Sequence, residues 1–250
     1  MSNKPLISIV IPAFNAADKI GYCLESICSQ NYESYEVLVM DGLSSDNTRL
    51  AVSNFQSRNP RIAFFCEKDA GTYDAMNKGI EKAIGSWLLF LGADDELFDM
   101  NVLAEISAIL EKTRAEVVYG DVLIAGETLF GKNGDRYDGQ FSKAKIIKRN
   151  ICHQSVFYHE AIFKKLGKYN PDYVINADWD LNLHCFSQLE TFYVPLIVTR
   201  FSGAGKAPDS KTNSTCTTGL SMRENISKYP TSTKNSLASF QFSGILQLHP

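Results

Sequence analysis

The sequence predicts an α/β domain built on a mostly parallel sheet with helices on both faces. Three observations carry this. Apolar runs of strand length alternate with stretches of helical periodicity from residue 8 onward. The run Trp87–Ala93 is far shorter than the roughly 20 residues a membrane span needs, and suits a strand buried on both faces of a parallel sheet. Each of the first four strands ends in a polar or acidic residue: Asn15, Asp41, Asp69 and Asp94. Carboxyl ends of parallel strands lie side by side, and ligands bind just outside them.

The elements follow in order. Ser8–Phe14 is the first strand, broken by Pro12, and Asn15 is its helix N-cap with Asp18 three residues on. Ile20, Cys23, Leu24 and Ile27 repeat at helical spacing to about Gln30. Glu36–Met40 is the second strand, ending at Asp41-Gly42, and Leu43–Thr48 is a polar loop and cap. Leu50, Ala51, Val52 and Phe55 mark the second helix, and Arg61–Cys66 the third strand, which runs out at Glu67–Gly71. Met76, Ile80, Ala83 and Ile84 line a third helix before Trp87. Three β-α units and a strand give right-handed parallel crossovers. Val102, Leu103, Ile106, Ile109 and Leu110 then mark an amphipathic helix.

Glu116–Tyr119 is a strand ending at Gly120-Asp121, followed by a hairpin from Gly126 to Gly131 and a loop over 132–140. A basic helix (Ser142–Arg149), a strand (Ser155–Tyr158) and a short helix ending at Gly167 come next. Asn176–Leu181 opens a helix that runs to about Gln188. Glu190–Phe201 is β-rich with Pro195 inside it, which predicts an edge strand. From Ser202 the composition shifts to Gly, Ser, Thr, Asn and Lys, as in a lid, a partner-binding tail or a partly disordered end.

The 250 residues suffice for one large domain, and 44% apolar against 21% charged is a globular balance. A net charge of −3 argues against nucleic acid as a partner. The start leads straight into a strand, so no signal peptide is expected. Six cysteines at irregular spacing, with no Cys-x-x-Cys, read as reduced thiols of a cytosolic protein.

Polar loops are common on any surface. Four unrelated loops would show Ser, Lys and Glu as readily as Asp and Asn, which favours one shared cleft. Adjacent Asp94 and Asp95, followed by Glu96, repel one another and call for a compensating cation; Mg²⁺ or Mn²⁺ suits oxygen ligands. A solvated acidic turn is the alternative.

Five segments then match a known family in its order: Ser8–Asn15, Val39–Thr48, Asp69–Gly79, Leu89–Asp95 and Asn176–Leu181. Over residues 6 to about 200 the chain resembles the inverting family 2 glycosyltransferases of the GT-A fold, a Rossmann-like, mostly parallel sheet with a smaller antiparallel portion on the acceptor side. It looks most like bacterial enzymes that add one sugar to a cell-surface polysaccharide precursor. The resemblance implies a nucleotide-diphosphate sugar donor, UDP first, and a glycan or lipid-linked acceptor. It implies one domain over 1–202, with a nucleotide-sugar half (1–100) and an acceptor half (101–202), and a C-terminal lid or tail over 203–250.

It also implies roles. Asp41 accepts the ring N–H of the donor's base; Pro12, Ala13 and Asn15 lie against the nucleoside; Asp69 borders that pocket. Asp94 sits at the ribose and metal, and Asp95 is the direct metal ligand. Lys78 adds charge near the phosphates, with a solvated helix lysine as the alternative. Gly92 stands where the family's Asp-x-Asp motif begins, so weaker metal binding is expected. Asp178 is the general base by motif position, against the alternative of a simple N-cap. Asp180, His153 with Gln154, and Trp179 are weaker acceptor-side candidates, and Tyr73 is a further stacking candidate; His153, Trp179 and Tyr73 have structural readings of their own. The Gln-x-x-Arg-Trp motif and membrane helices of processive relatives are missing, which implies single transfer. The basic stretch Lys143–Arg149 and the tail are candidates for contact with an anionic membrane surface, with a solvated helix face as the alternative.

Two competing readings stand beside this one. A nucleotidyltransferase would need a Gly-rich, basic phosphate loop after the first strand, where Pro12–Ala17 stands. A non-catalytic sugar- or partner-binding protein of the same fold is favoured by Gly92 and disfavoured by Asp94, Asp95 and Asp178.

Overall fold

The computed structural model describes residues 4–128 and 131–203. One nine-stranded sheet organises them, in the order β3-β2-β1-β4-β8-β6-β9-β5, with β7 on β6. The strands are β1 (Ile7–Ala13), β2 (Tyr35–Asp41), β3 (Ile62–Cys66), β4 (Trp87–Phe90), β5 (Glu96–Leu97), β6 (Val117–Ile124), β7 (Arg136–Tyr137), β8 (Val156–His159) and β9 (Thr191–Phe201). The helices are α1 (Ile20–Cys28), α2 (Thr48–Gln56), α3 (Thr72–Lys82), α4 (Val102–Leu110), α5 (Lys143–Lys148), α6 (Ala161–Lys165) and α7 (Ala177–Gln188). A 3-10 turn spans His153–Ser155.

β1 to β4 are parallel to one another. β8 runs antiparallel between β4 and β6, which makes the antiparallel portion expected on that side. Successive strand residues face opposite sides. Val10, Leu38, Met40, Leu88 and Phe90 pack in one layer with α3, α5 and α7, while Ile9, Ile11, Val37, Val39, Leu89 and Leu91 pack in the other with α1 and α4. Burial on both faces explains why these strands read as continuous apolar runs.

Several expected boundaries move. α1 starts at Ile20 with Lys19 at its N-cap; Asn15 instead takes a left-handed conformation (φ 48°) and serves the loop before it. β4 ends at Phe90, with Leu91 adding one hydrogen bond to Val10 (3.0 Å), because the chain then turns at Gly92. α3 ends at Lys82, leaving Ile84 exposed. β6 runs through Gly120 rather than ending there. A Cβ at Gly120 would lie 2.5 Å from the Leu196 carbonyl oxygen, so glycine permits the close approach of β6 and β9. Beyond it, buried Asp121 accepts from Arg136 Nε (2.5 Å), Gly139 N (2.7 Å) and Tyr193 Oη (2.8 Å), tying β7 and β9 to β6.

Pro195 lies in a register shift of the β6–β9 ladder, between Tyr193 and Ile197. β5 covers only Thr199 and Arg200 of β9, so among the described residues β9 is an edge strand at Pro195 and an inner one at its carboxyl end. The Gly126–Gly131 turn is closed by Thr128 N donating to Gly131 O (3.1 Å); residues 129 and 130 lie outside the described residues, as does the expected lid or tail after Gly203. In the basic helix, the Lys145 ammonium reaches the Asp138 carbonyl and Arg149 pairs with Asp138 (3.1 Å), so two of its charges are spent within the chain. Among the described residues no helix is long and apolar enough to cross a membrane.

Candidate active site

At the carboxyl ends of β1, β2 and β3, Ala13 pairs with Asp41 and Asp41 with Cys66. Asp41 is buried. Its Oδ2 accepts from Ser44 N (3.0 Å) and from the Cys66 thiol (3.2 Å), while Oδ1 is buried with no hydrogen-bond partner. A buried carboxylate oxygen left unpaired costs free energy, which a ligand N–H would recover. The bond to Asp41 pushes the Cys66 thiol up, keeping it protonated and donating.

Loop 14–17 is braced on loop 44–48. Asn15 N donates to Ser44 Oγ (2.8 Å), Ser45 N to Asn15 Oδ1 (2.9 Å), Ala16 N to Thr48 Oγ1 (2.8 Å) and Ala17 N to Asp46 Oδ2 (3.1 Å). Pro12, in register with Met40, leads into that loop. The Asp69 carboxylate lies over Gly42, where a Cβ would come within 2.4 Å of its Oδ2, and its Oδ1 accepts from Gly71 N (3.0 Å). The expected donor-side residues Pro12, Ala13, Asn15, Asp41 and Asp69 therefore meet. Lys78 does not join them through its charge: its ammonium pairs with Asp74 (3.2 Å) and reaches the Lys68 carbonyl, bracing the 68–74 turn.

The β4 turn assigns its two carboxylates different tasks. Asp95 is buried and held by three N–H donors at 3.1 Å each: Gly92 N and Gln154 Nε2 on Oδ2, and Ser202 N on Oδ1. Burial, with the charge of Asp94 beside it, pushes its carboxyl up to about 6. Two donors fill Oδ2 and one occupies Oδ1, so the expected direct metal ligation by Asp95 rests on the remaining position of Oδ1. Asp94 is the accessible partner, and its Oδ2 lies 3.4 Å from Lys19 Nζ. Gly92 has a positive reason to be glycine: a Cβ there would meet Asp95 Oδ2 at 2.7 Å and Asp94 Oδ1 at 2.9 Å. Both carboxylates fold over the space that a side chain would fill. Among the described residues no three His, Cys, Asp or Glu side chains gather as a protein-only cage. One accessible carboxylate fits a cation of the Mg²⁺ type, which takes one or two carboxylates and completes its shell with substrate phosphates and water.

Across the sheet, Asp178 stands in the first turn of α7, where the helix dipole favours a carboxylate. Its Oδ1 accepts from Tyr73 Oη (2.8 Å) and its Oδ2 from Asn150 Nδ2 (2.6 Å); His153 Nδ1 lies 3.3 Å from Oδ2. Burial pushes this carboxyl up, but the hydrogen bond and charge of His153, with the Tyr73 and Asn150 donors, outweigh it and hold the group below the usual carboxylate range. Burial and the adjacent Asp178 push the Tyr73 phenol up, so it stays a donor.

The 3-10 turn joins the two carboxylate sites, for His153 reaches Asp178 while the next residue, Gln154, holds Asp95. Trp179 is half-buried against the core, and its indole N–H donates to Ile146 O (2.7 Å), tying α7 to α5. Asp180 lies 3.9 Å from His184 one turn along α7, away from Asp178's partners. Asn150 and Lys19 carried no signal in the sequence, each being one polar residue beside a helix. Cys66 was visible only as an irregularly spaced cysteine, and Gln154, expected with His153 on the acceptor side, holds Asp95 instead.

The family model described as Glycosyl transferase family 2 matches residues 8–167. The "PGL/p-HBAD biosynthesis glycosyltransferase" of Mycobacterium tuberculosis is 39% identical over 207 residues, 80% of this chain and 78% of that one. "Glycosyltransferase AglE" of Haloferax volcanii is 30% identical over 183 residues, 70% of this chain and 59% of that one. Among solved structures, S. aureus TarS 1-349 in complex with UDP-GlcNAc superposes with a TM-score of 0.75 at 15% identity, over 94% of this chain and 71% of that one. The chain spans 42% of a longer TarS chain, with a TM-score of 0.73. The mannosyltransferase PcManGT from Pyrobaculum calidifontis, in complex with GDP-Man and Mn²⁺, gives a TM-score of 0.66 at 17% identity, over 95% of this chain and 69% of that one. At these identities the structural likeness is one of fold.

Proposed function

The chain belongs to glycosyl transferase family 2 and is a glycosyltransferase of the GT-A fold; from that premise we propose that it is an inverting, non-processive enzyme that moves one sugar from a nucleotide-diphosphate sugar to a hydroxyl of a glycan or lipid-linked glycan in surface polysaccharide biosynthesis. The observation that carries the donor side is the buried, unpartnered Oδ1 of Asp41. A base ring N–H is the donor it lacks. Because Ser44 N–H and the Cys66 thiol already fill Oδ2, the site offers one acceptor atom. Uracil and thymine present a single ring N–H between two carbonyls, whereas guanine presents a ring N–H beside an exocyclic amine. That favours UDP or TDP over GDP.

Asp178 is the base in this reading. It takes the proton of the acceptor hydroxyl as that oxygen bonds to the sugar's anomeric carbon and the bond from that carbon to the diphosphate breaks. Tyr73, Asn150 and His153 orient it and keep it ionised. A divalent cation, Mn²⁺ or Mg²⁺, would supply Lewis-acid stabilisation of the leaving diphosphate. Asp94 and Asp95 would hold it, with the donors on Asp95 also fixing the turn. A cytoplasmic location, peripheral on the inner face of the membrane, belongs to the same proposal.

A thermal-shift panel of UDP, GDP, TDP and CMP, with and without Mn²⁺, tests the donor side by linkage. Stabilisation by UDP or TDP that needs the metal is expected, and Cys66→Ala should narrow the gap to GDP by freeing one of the two positions on Oδ2, the other staying with Ser44 N–H. Stabilisation by GDP alone would overturn the base reading, and no shift with any nucleotide would favour the non-catalytic alternative.

A further inference from the structure

We propose that Lys19 is the resident counter-ion of the β4 turn: its ammonium holds the Asp94 carboxylate, and a divalent cation that binds Asp94 has to displace it. The inference rests on the reading that Asp94 and Asp95 hold the metal.

Charge is the first support. Asp94 and Asp95 are adjacent carboxylates, and both fold over Gly92, where a Cβ would meet Asp95 Oδ2 at 2.7 Å and Asp94 Oδ1 at 2.9 Å. The groups that bind Asp95, Gly92 N, Gln154 Nε2 and Ser202 N, are neutral N–H donors. They spread its charge without cancelling it. Lys19 supplies a positive charge, with Nζ 3.4 Å from Asp94 Oδ2.

Placement is the second. Lys19 is fixed at its backbone and adjustable at its head. Its N–H donates to Ala16 O (3.0 Å), while Ala16 N and Ala17 N are themselves held by Thr48 Oγ1 (2.8 Å) and Asp46 Oδ2 (3.1 Å). The side chain beyond is half-exposed. The ammonium can therefore leave Asp94 by rotating its flexible stem, with no change in the braced loop.

Competition is the third. A divalent cation on Asp94 would face the ammonium at close range, and like charges repel. The divalent ion prevails because it carries twice the charge and draws on both carboxylates. A monovalent ion brings no more charge than the ammonium it would replace. Lys19 therefore makes the turn selective for divalent cations, and makes it bind them less tightly than the two carboxylates alone would.

Titration of Mn²⁺ into the full chain, read from the electron paramagnetic resonance of the free ion and with no nucleotide present, tests this. Lys19→Gln should bind Mn²⁺ about three- to fivefold tighter, the worth of a half-exposed ion pair. That gain should fade in about 0.5 M NaCl, where such pairs are screened. Lys19→Arg keeps the charge and should stay within about twofold of the wild type. With Asp94→Asn already in place, Lys19→Gln should change nothing, since the pair is gone. Melting curves of the same samples report that each variant is folded. Unchanged or weaker Mn²⁺ binding by Lys19→Gln, or a gain that persists with Asp94→Asn, overturns the inference alone. Mn²⁺ binding by Asp94→Asn equal to that of the wild type overturns the metal assignment, and the inference with it.

Discussion

Gly92 was expected to weaken the metal site by removing a carboxylate, yet the geometry gives it a constructive role. Any side chain there meets Asp95 Oδ2 at 2.7 Å and Asp94 Oδ1 at 2.9 Å. Asp95 cannot yield cheaply, because three N–H donors fix it. Gly92→Ala, one methyl group, should therefore lower metal-dependent nucleotide affinity about tenfold; titration with and without Mn²⁺ checks this, and wild-type affinity would show that the carboxylates move freely. Asp178 poses the same kind of question for pH. Its folded pKa lies below the usual range, so its ionised form is favoured by folding. That contribution is present above the unfolded value of about 3.9 and is lost as pH falls through the lower folded value. The acid limb of kcat/KM that this base sets should accordingly lie below the usual carboxylate range. His153→Ala removes the strongest of the influences that lower it and should move that limb upward; an unmoved limb would remove His153 from the base's surroundings.

At the scale of elements, α7 presents Asp178 through a relay rather than by helix geometry alone. Tyr158 Oη of β8 donates to Asn182 Oδ1 (2.7 Å), Asn182 Nδ2 to Asn150 Oδ1 (3.0 Å), and Asn150 Nδ2 to Asp178 Oδ2 (2.6 Å). Asn182 is fully buried one turn after Asp178. Asn182→Ala removes one partner each from Tyr158 and Asn150, so a loss of about 1–3 kcal/mol in denaturant unfolding is expected. Nucleotide affinity should stay while kcat falls; a parallel loss of both would mean that the whole sheet had loosened. The relay also marks where sequence reasoning stopped. The parallel strands were legible because burial on both faces writes itself as an apolar run, and the acidic strand ends because topology sets them side by side. Asn150 and Asn182 were not, since a hydrogen bond across 28 or 32 residues leaves no local pattern. Asn15 has the residue type of an N-cap, but its left-handed φ serves a loop–loop brace instead. Asp94 and Asp95 look alike in the sequence, and only the Ser202 and Gln154 contacts separate an accessible carboxylate from a buried one.

At the scale of the whole molecule, the sheet's two portions are joined at β4–β8, and the candidate groups divide along that joint. Asp41, Asp69 and Asp94 stand at the ends of the parallel strands and their loops, and Asp178 stands on α7, reached through the 3-10 turn that leads into β8. If the parallel portion binds donor and the other portion only supplies the base, substitutions on the two sides should separate binding from turnover. Asp178→Asn keeps an acceptor oxygen for Tyr73 but cannot take a proton. It should abolish turnover by about a thousandfold or more while nucleotide affinity stays within about twofold. Asp41→Asn keeps the volume, but the exposed task of Oδ1 depends on charge and on accepting, and nucleotide affinity should fall by at least thirtyfold. Titration and a transfer assay on the same two variants read this directly. Turnover that survives in Asp178→Asn would place the base elsewhere, and equal loss of nucleotide affinity in both would mean that the two portions form one indivisible pocket.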